Sequence, residues 1–154
     1  IIDEYQDTNP VQEKLIFKLS QRTQNLCVVG DDDQSLYRFR GATVENFVDF
    51  PERCLKYFDR DPARITLSTN YRSRQAIVEF YGDYISKFNW KKQGQPGFYR
   101  VTDKEIKAFR SDSFPSVFTT DPDHPNTICP QIASLVREII DQKKVEDPNQ
   151  VALL

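Results

Sequence analysis

The chain has 154 residues, of which 38% are hydrophobic and 29% charged, a balance that excludes a disordered tail and fits soluble globular material. Its formal net charge is −2 and its pI is near 5.5, which argues against a broad basic surface for nucleic acid but leaves room for a local track of basic and aromatic residues. No apolar run approaches a membrane span and no signal-peptide layout opens the chain; Cys27, Cys54, Cys129 and the single His124 offer no zinc spacing, so a reduced cytoplasmic setting is expected.

In chain order, Ile1-Ile2 reads as the end of a buried strand with Asp3 and Glu4 at its C-terminal end. The chain is expected to begin inside that strand, as a piece of something larger. Asn9 is placed to cap a helix that Pro10 opens, with Val11, Leu15, Ile16 and Leu19 as one buried stripe. Leu26-Cys-Val-Val29 reads as a central parallel strand covered on both faces. Thr43 is placed to cap a short helix burying Val44, Phe47 and Val48, with Pro51 after it. Ile65-Thr-Leu67 reads as another strand, and a helix from about Arg74 to Phe88 carries Ile77, Val78, Tyr81, Tyr84, Ile85 and Phe88.

Residues 89–115 read as irregular, punctuated by Gly94, Pro96, Gly97 and Pro115. Val117-Phe118 is expected to start a strand, Pro130 to open a helix through Ile132, Leu135, Val136, Ile139 and Ile140, and Val151-Ala-Leu-Leu154 to begin the next strand, which the chain leaves unfinished. Strand, helix, strand is a parallel crossover unit, so the fold class is α/β.

Two blocks carry the chemistry. Ile1-Ile-Asp-Glu-Tyr-Gln-Asp7 and Val28-Val-Gly-Asp-Asp-Asp-Gln-Ser35 share one shape, an apolar run followed by acids, and open parallel sheets bind ligands at such strand ends. Asp3 is read as the acid that directs Mg²⁺ and Glu4 as the base that activates water, the Walker B arrangement of nucleoside triphosphatases. Gln34 follows the second acidic turn; a neutral amide accepts from water and donates to a phosphate oxygen at once. Asp31–Asp33 are read as turn caps or supports of the metal's water shell rather than direct ligands. Tyr37 and Phe39 interleave with Arg38 and Arg40, a pattern for stacking bases beside phosphates, the alternative being that one of the two rings, Tyr37 before Phe39, is core. Arg72 follows a strand-to-helix turn from which a guanidinium reaches a transferring phosphate. Ser73 reads as a helix cap and Lys91-Lys92 as a solvated charge pair.

These blocks, with Leu67-Ser-Thr-Asn-Tyr-Arg-Ser73, resemble the UvrD/PcrA/Rep-type DNA helicases of superfamily 1. Asp3-Glu4-Tyr5-Gln6-Asp7 is similar to motif II, Gly30 to Ala42 to motif III, and Asn70-Tyr71-Arg72-Ser73 to the core of motif IV, so the chain reads as an internal fragment carrying motifs II, III and IV. Phe39 stands where that family usually has Trp. The resemblance implies RecA-like (P-loop NTPase) lobes, both incomplete: residues 1–66 as the C-terminal part of the first ATP-binding lobe and residues 67–154 as the N-terminal part of the second. It implies ATP and Mg²⁺ as cofactors, Gln34 as γ-phosphate sensor, Tyr71 stacking on adenine (or buried in the lobe core), Arg72 as arginine finger, and Tyr37, Phe39 and Arg40 on DNA. The implied activity is ATP-driven 3′-to-5′ translocation on single-stranded DNA and unwinding at duplex junctions, in a DNA repair setting. An ATPase subunit of a RecB/AddA-type helicase–nuclease and a non-catalytic nucleic-acid-binding derivative are the rivals. The residues contain no Gly-x-x-x-x-Gly-Lys-[Ser/Thr] loop to cradle phosphates, so the chain alone is expected to be inactive.

Overall fold

The computed structural model describes residues 1–102, 104–111, 117–119 and 123–152. Contacts divide the chain into two units, Ile1–Phe114 and Pro115–Leu154. The first unit begins with a parallel bridge between Ile2 and Val28. Ile2 N donates to Cys27 O at 2.8 Å, Val29 N to Ile2 O at 2.8 Å, and Tyr5 N to Val29 O at 2.9 Å. The two apolar runs therefore lie side by side and point the same way, and the acidic turns emerge from the same end. The run 26–29 is not covered on both faces: Leu26 and Val28 are half-buried, whereas Cys27 and Val29 are exposed. Alternation with period two follows because only one side of this backbone meets the core.

Helix α1 (Pro10–Ser20) forms as expected, and Asn9 and Gln12 make a reciprocal capping box. The face it buries is a different one. Glu13 and Phe17 are buried, while Val11, Leu15 and Leu19 are exposed and Ile16 is half-covered. Phe17 decides this. It stacks on Tyr57 at 4.8 Å and meets Phe58 at 5.2 Å and Phe50 at 5.8 Å between ring centroids. These rings, with Cys54 and Leu26, form the core cluster. A buried aromatic removes more apolar area from water than any of the stripe's aliphatic residues. Glu13 shares the buried face because Arg53 Nε lies 3.3 Å from its Oε1. Burial pushes the Glu13 carboxyl up, and Arg53 pulls it part of the way back.

Helix α2 (Val44–Val48) is followed at once by α3 (Phe50–Phe58). Pro51 does not end the helical stretch; it sits in the first turn of α3, where a missing N–H is no loss. Thr43 makes no side-chain cap. The fully buried residue of α2 is Asn46, whose Nδ2 donates to Thr8 O at 3.1 Å, while Val44, Phe47 and Val48 are half-buried.

Strand β1 (Thr69–Arg74) starts four residues later than expected and takes in the whole Asn70–Ser73 block; Ile65 and Leu67 are exposed and in no strand. Helix α4 (Gln75–Ser86) follows directly and buries Val78 with Tyr81 and Ile85 half-covered, leaving Ile77, Tyr84 and Phe88 exposed. Strand β2 (Lys107–Arg110), inside the stretch expected to be irregular, pairs in parallel with β1 through Thr69–Lys107 and Asn70–Ala108. The chain thus is mixed α/β with a small parallel sheet, and its crossover unit is β1–α4–β2. Residues 66 and 67, where the lobe boundary is expected, both lie in the first contact unit.

In the second unit, α5 (Pro125–Asp141) starts five residues before Pro130, which lies inside it. Pro125 occupies the first turn and His124 Nδ1 accepts from Asn126 N at 3.2 Å, a stronger start signal than the internal proline. Ile132, Val136, Ile139 and Ile140 are half-covered and Leu135 is exposed. Val117–Thr119 adopt no strand, and the run expected at 151–154 is described only for Val151 and Ala152, also outside any strand; Leu153 and Leu154 lie outside the described residues.

Candidate active site

Asp3 and Glu4 are both exposed at the end of the Ile2 bridge, and Glu4 N donates to Asp3 Oδ1 at 3.0 Å. Glu4 holds a left-handed backbone, φ 50 and ψ 43, a conformation that costs a residue with a Cβ about 1 kcal/mol or more. The turn of chain that follows re-aims the next residues inward. Tyr5 is fully buried, its ring edge-on to Phe50 at 5.4 Å, and burial raises its hydroxyl's pKa. Gln6 is 1% exposed and spans the two blocks. Its Nε2 donates to Glu4 Oε2 at 2.6 Å, and its Oε1 accepts from Asp31 N at 3.1 Å. Gly30 makes room for that amide: a Cβ there meets Gln6 Oε1 and lies 2.9 Å from the Phe47 ring. Burial first, and then the Glu4 carboxylate, push Asp7 above its ordinary pKa.

The second block is a knot of charge. Asp31 caps the 3-10 turn Asp32–Gln34 by accepting from Asp33 N, and its Oδ2 accepts from Gln34 Nε2 at 2.8 Å. Lys104 Nζ reaches Asp31 Oδ1 at 2.7 Å and Asp33 Oδ2 at 2.9 Å, and also contacts Asp32 Oδ1. Arg100 grips Asp33 with two bonds, 2.6 and 2.9 Å, and Val101 N donates to Asp32 Oδ2 at 2.8 Å. Burial pushes the Asp31 and Asp33 carboxyls up. The hydrogen bonds from Lys104 and Gln34 to the first, and from Arg100 and Lys104 to the second, outweigh it and hold both below the usual carboxylate range. Burial works against the Lys104 ammonium, and the three aspartates override it and raise its pKa.

Tyr37 and Phe39 stand 6.0 Å apart between ring centroids, with the Arg40 guanidinium 5.1 Å from one and 5.4 Å from the other. Neither ring is core; Phe39 is 78% exposed. The result is an outward aromatic pair with a cation laid over it. Arg72 and Tyr71 occupy β1 rather than a strand-to-helix turn, and Asn70 Oδ1 accepts from Arg72 N at 3.0 Å and Ser73 N at 2.8 Å. Tyr71 is exposed and packs on Phe109 at 4.9 Å, so it is not lobe core. The Ser73 N–H donates that bond, and its side chain gives no cap to α4.

The fold therefore joins Glu4, Gln6, Asp31 and Gln34 in one hydrogen-bonded chain with Asp3 at its edge. Among the described residues no hydrogen bond or ion pair links Tyr71 or Arg72 to it. Sequence reasoning gave Gln6 no role of its own and missed Arg100 and Lys104. Lys92, read as half of a solvated pair, instead places Nζ 2.8 Å from Asp49 Oδ1. The signal available for Gln6 was its place two residues after Glu4. For the cations there was none, because they lie in an irregular stretch some 70 residues from their partners.

Residues 1–54 match the UvrD/REP helicase N-terminal domain. Over longer stretches the chain is similar to the ATP-dependent DNA helicase PcrA of Bacillus subtilis (strain 168), 42% identical over 114 residues, which is 73% of this chain and 14% of that protein. It is 48% identical over 90 residues to the putative ATP-dependent DNA helicase YjcD of the same organism, 58% of this chain and 11% of that protein. PcrA of Leuconostoc citreum is 36% identical over 118 residues, 70% of this chain and 15% of that protein. The chain spans less than a sixth of the length of these relatives. The chain is thus similar, over these stretches, to UvrD/PcrA-type DNA helicases. No helix among the described residues is long and apolar enough to cross a membrane.

Proposed function

We propose that the chain is the motif II to motif IV portion of an ATP-dependent DNA helicase that translocates 3′ to 5′ on single-stranded DNA and opens duplex junctions in the cytoplasm. The observation that carries this reading is the buried Gln6 amide, which ties the acid pair of one strand end to the loop of the other. In this reading residues 1–66 belong to the first RecA-like lobe and residues 67–154 to the second.

Asp3 fits Mg²⁺: it is exposed, and one carboxylate completed by water and phosphate oxygens is a ligand set that this ion uses. Asp3 would hold the ion there, and the chemistry it would supply is neutralisation of phosphate charge. Glu4 takes the proton of the attacking water. Its carboxylate is aimed by the left-handed backbone and by the Gln6 hydrogen bond, which leaves Oε1 for the water. Gln34 orients toward the γ-phosphate from its tether on Asp31. Tyr71 offers a face to adenine, and the exposed Arg72 supplies charge to the transferring phosphoryl group. Tyr37, Phe39 and Arg40 offer stacking faces and a cation to single-stranded DNA.

The test is steady-state ATP turnover of the intact protein with and without single-stranded DNA. DNA-stimulated turnover is expected, abolished in Glu4→Gln with nucleotide binding retained, and strongly reduced in Arg72→Ala. Turnover that survives Glu4→Gln overturns the assignment. The 154-residue chain by itself is expected to show no turnover, because these residues contain no phosphate loop.

A further inference from the structure

We propose that Lys104, assisted by Arg100, is a positioning residue for Gln34: a cationic clasp that sets the shape of the loop through Asp31. The proposal rests on the functional reading above and deepens it. Gln34 itself is exposed, and the hydrogen bond that fixes its amide runs to Asp31 Oδ2. Asp31 is in turn fixed from elsewhere. Its other oxygen holds Lys104 Nζ at 2.7 Å, and its backbone N–H is spent on Gln6.

Three successive carboxylates on one short turn repel one another, and the turn keeps its shape only where cations offset them. Lys104 touches all three, and Arg100 takes Asp33 in a two-bond grip. The Lys104 side chain is only 10% exposed, so the charge is enclosed and weakly screened. A solvated surface pair contributes little to geometry; an enclosed ammonium shared by three carboxylates dictates it. Lys92, earlier in the sequence, pairs with Asp49, as Lys104 does with Asp31. The clasp meets the proposed lobe boundary from its far side: its cations follow residue 66 and its carboxylates precede it. Gln34 is therefore positioned only when both stretches are in place.

The experiment compares wild type, Lys104→Met and Lys104→Arg in the intact protein. Hydrogen exchange at the amides of Asp33, Gln34 and Ser35 reads the clasp without reference to activity. DNA-stimulated ATP turnover reads positioning, and a thermal melt reports folding. Lys104→Met is expected to exchange at least about tenfold faster there and to lose about tenfold in kcat, with KM for ATP within about twofold, because misplacing a group acting on the transition state lowers kcat. Lys104→Arg is expected to restore most of both. Unchanged exchange in Lys104→Met overturns the clasp. Faster exchange with unchanged kcat, or a joint collapse of kcat, KM and melting temperature that Lys104→Arg shares, overturns the positioning role. A wild-type protein without ATP turnover overturns the functional reading and the positioning role together, and exchange then decides the clasp alone.

Discussion

Gln6 Nε2 donates to Glu4 Oε2 at 2.6 Å while the same amide accepts from Asp31 N at 3.1 Å. A neutral side chain with a donor at one end and an acceptor at the other is required here. A glutamate would face Glu4 with like charge, and an aliphatic residue would leave the Asp31 N–H without its acceptor. The pair of bonds is short-range at one end and long-range at the other, which is how two strand ends become one site.

Gly30 is the first place to test this. A methyl group there runs into Gln6 Oε1 and the Phe47 ring, both held by packing. Gly30→Ala is expected to destabilise the first unit by about 1–3 kcal/mol through displacement of the amide. Urea unfolding measures it; a variant within about 0.5 kcal/mol of wild type would show that the amide yields freely.

Phe39 separates packing from recognition. At 78% exposure its removal leaves no cavity. Phe39→Ala is expected to weaken single-stranded DNA binding by about 1–3 kcal/mol while the melting temperature holds. A DNA titration beside a thermal melt checks both, and a large fall in melting temperature with unchanged affinity would return the ring to the core.

Phe17 and Val11 lie on one helix with opposite fates. Phe17→Ala opens the aromatic cluster and is expected to cost about 3–5 kcal/mol. Val11→Ala, on the exposed face, is expected to stay within about 0.5 kcal/mol. Chemical denaturation of the two variants decides which face of α1 is buried; equal losses would contradict the structure.

Acid should loosen the charged knot. Asp31 and Asp33 ionise below the ordinary carboxylate value in the folded chain, so near and below that value the unfolded chain binds more protons. Their contribution is present above the unfolded pKa, about 4, and is lost as pH falls through the folded one. Glu13 and Asp7 act in the opposite sense, since their raised values make acid favour the folded chain. Stability followed from pH ~5 to pH ~2 is expected to fall, and to fall less in Asp33→Asn. Equal acid sensitivity in the two proteins would sever the link.

What the sequence determined by itself was local. Asn9, Pro10 and Gln12 specify the start of α1 within four residues, because a cap bonds only the nearest backbone N–H groups. The acidic blocks and the Arg-interleaved aromatics were legible for the same reason, as were α4 and the α/β class. The buried face of α1 was not. Its aliphatic stripe and its Phe17 face were both apolar enough, and the choice fell to the rings of Phe50, Tyr57 and Phe58 that the chain brings back from α3. Nor was the clasp legible. Lys104 and Asp31 are 73 residues apart, and no periodicity or turn rule reaches that far. Only the folded chain encloses an ammonium among three carboxylates, where low exposure makes their attraction strong enough to shape a loop.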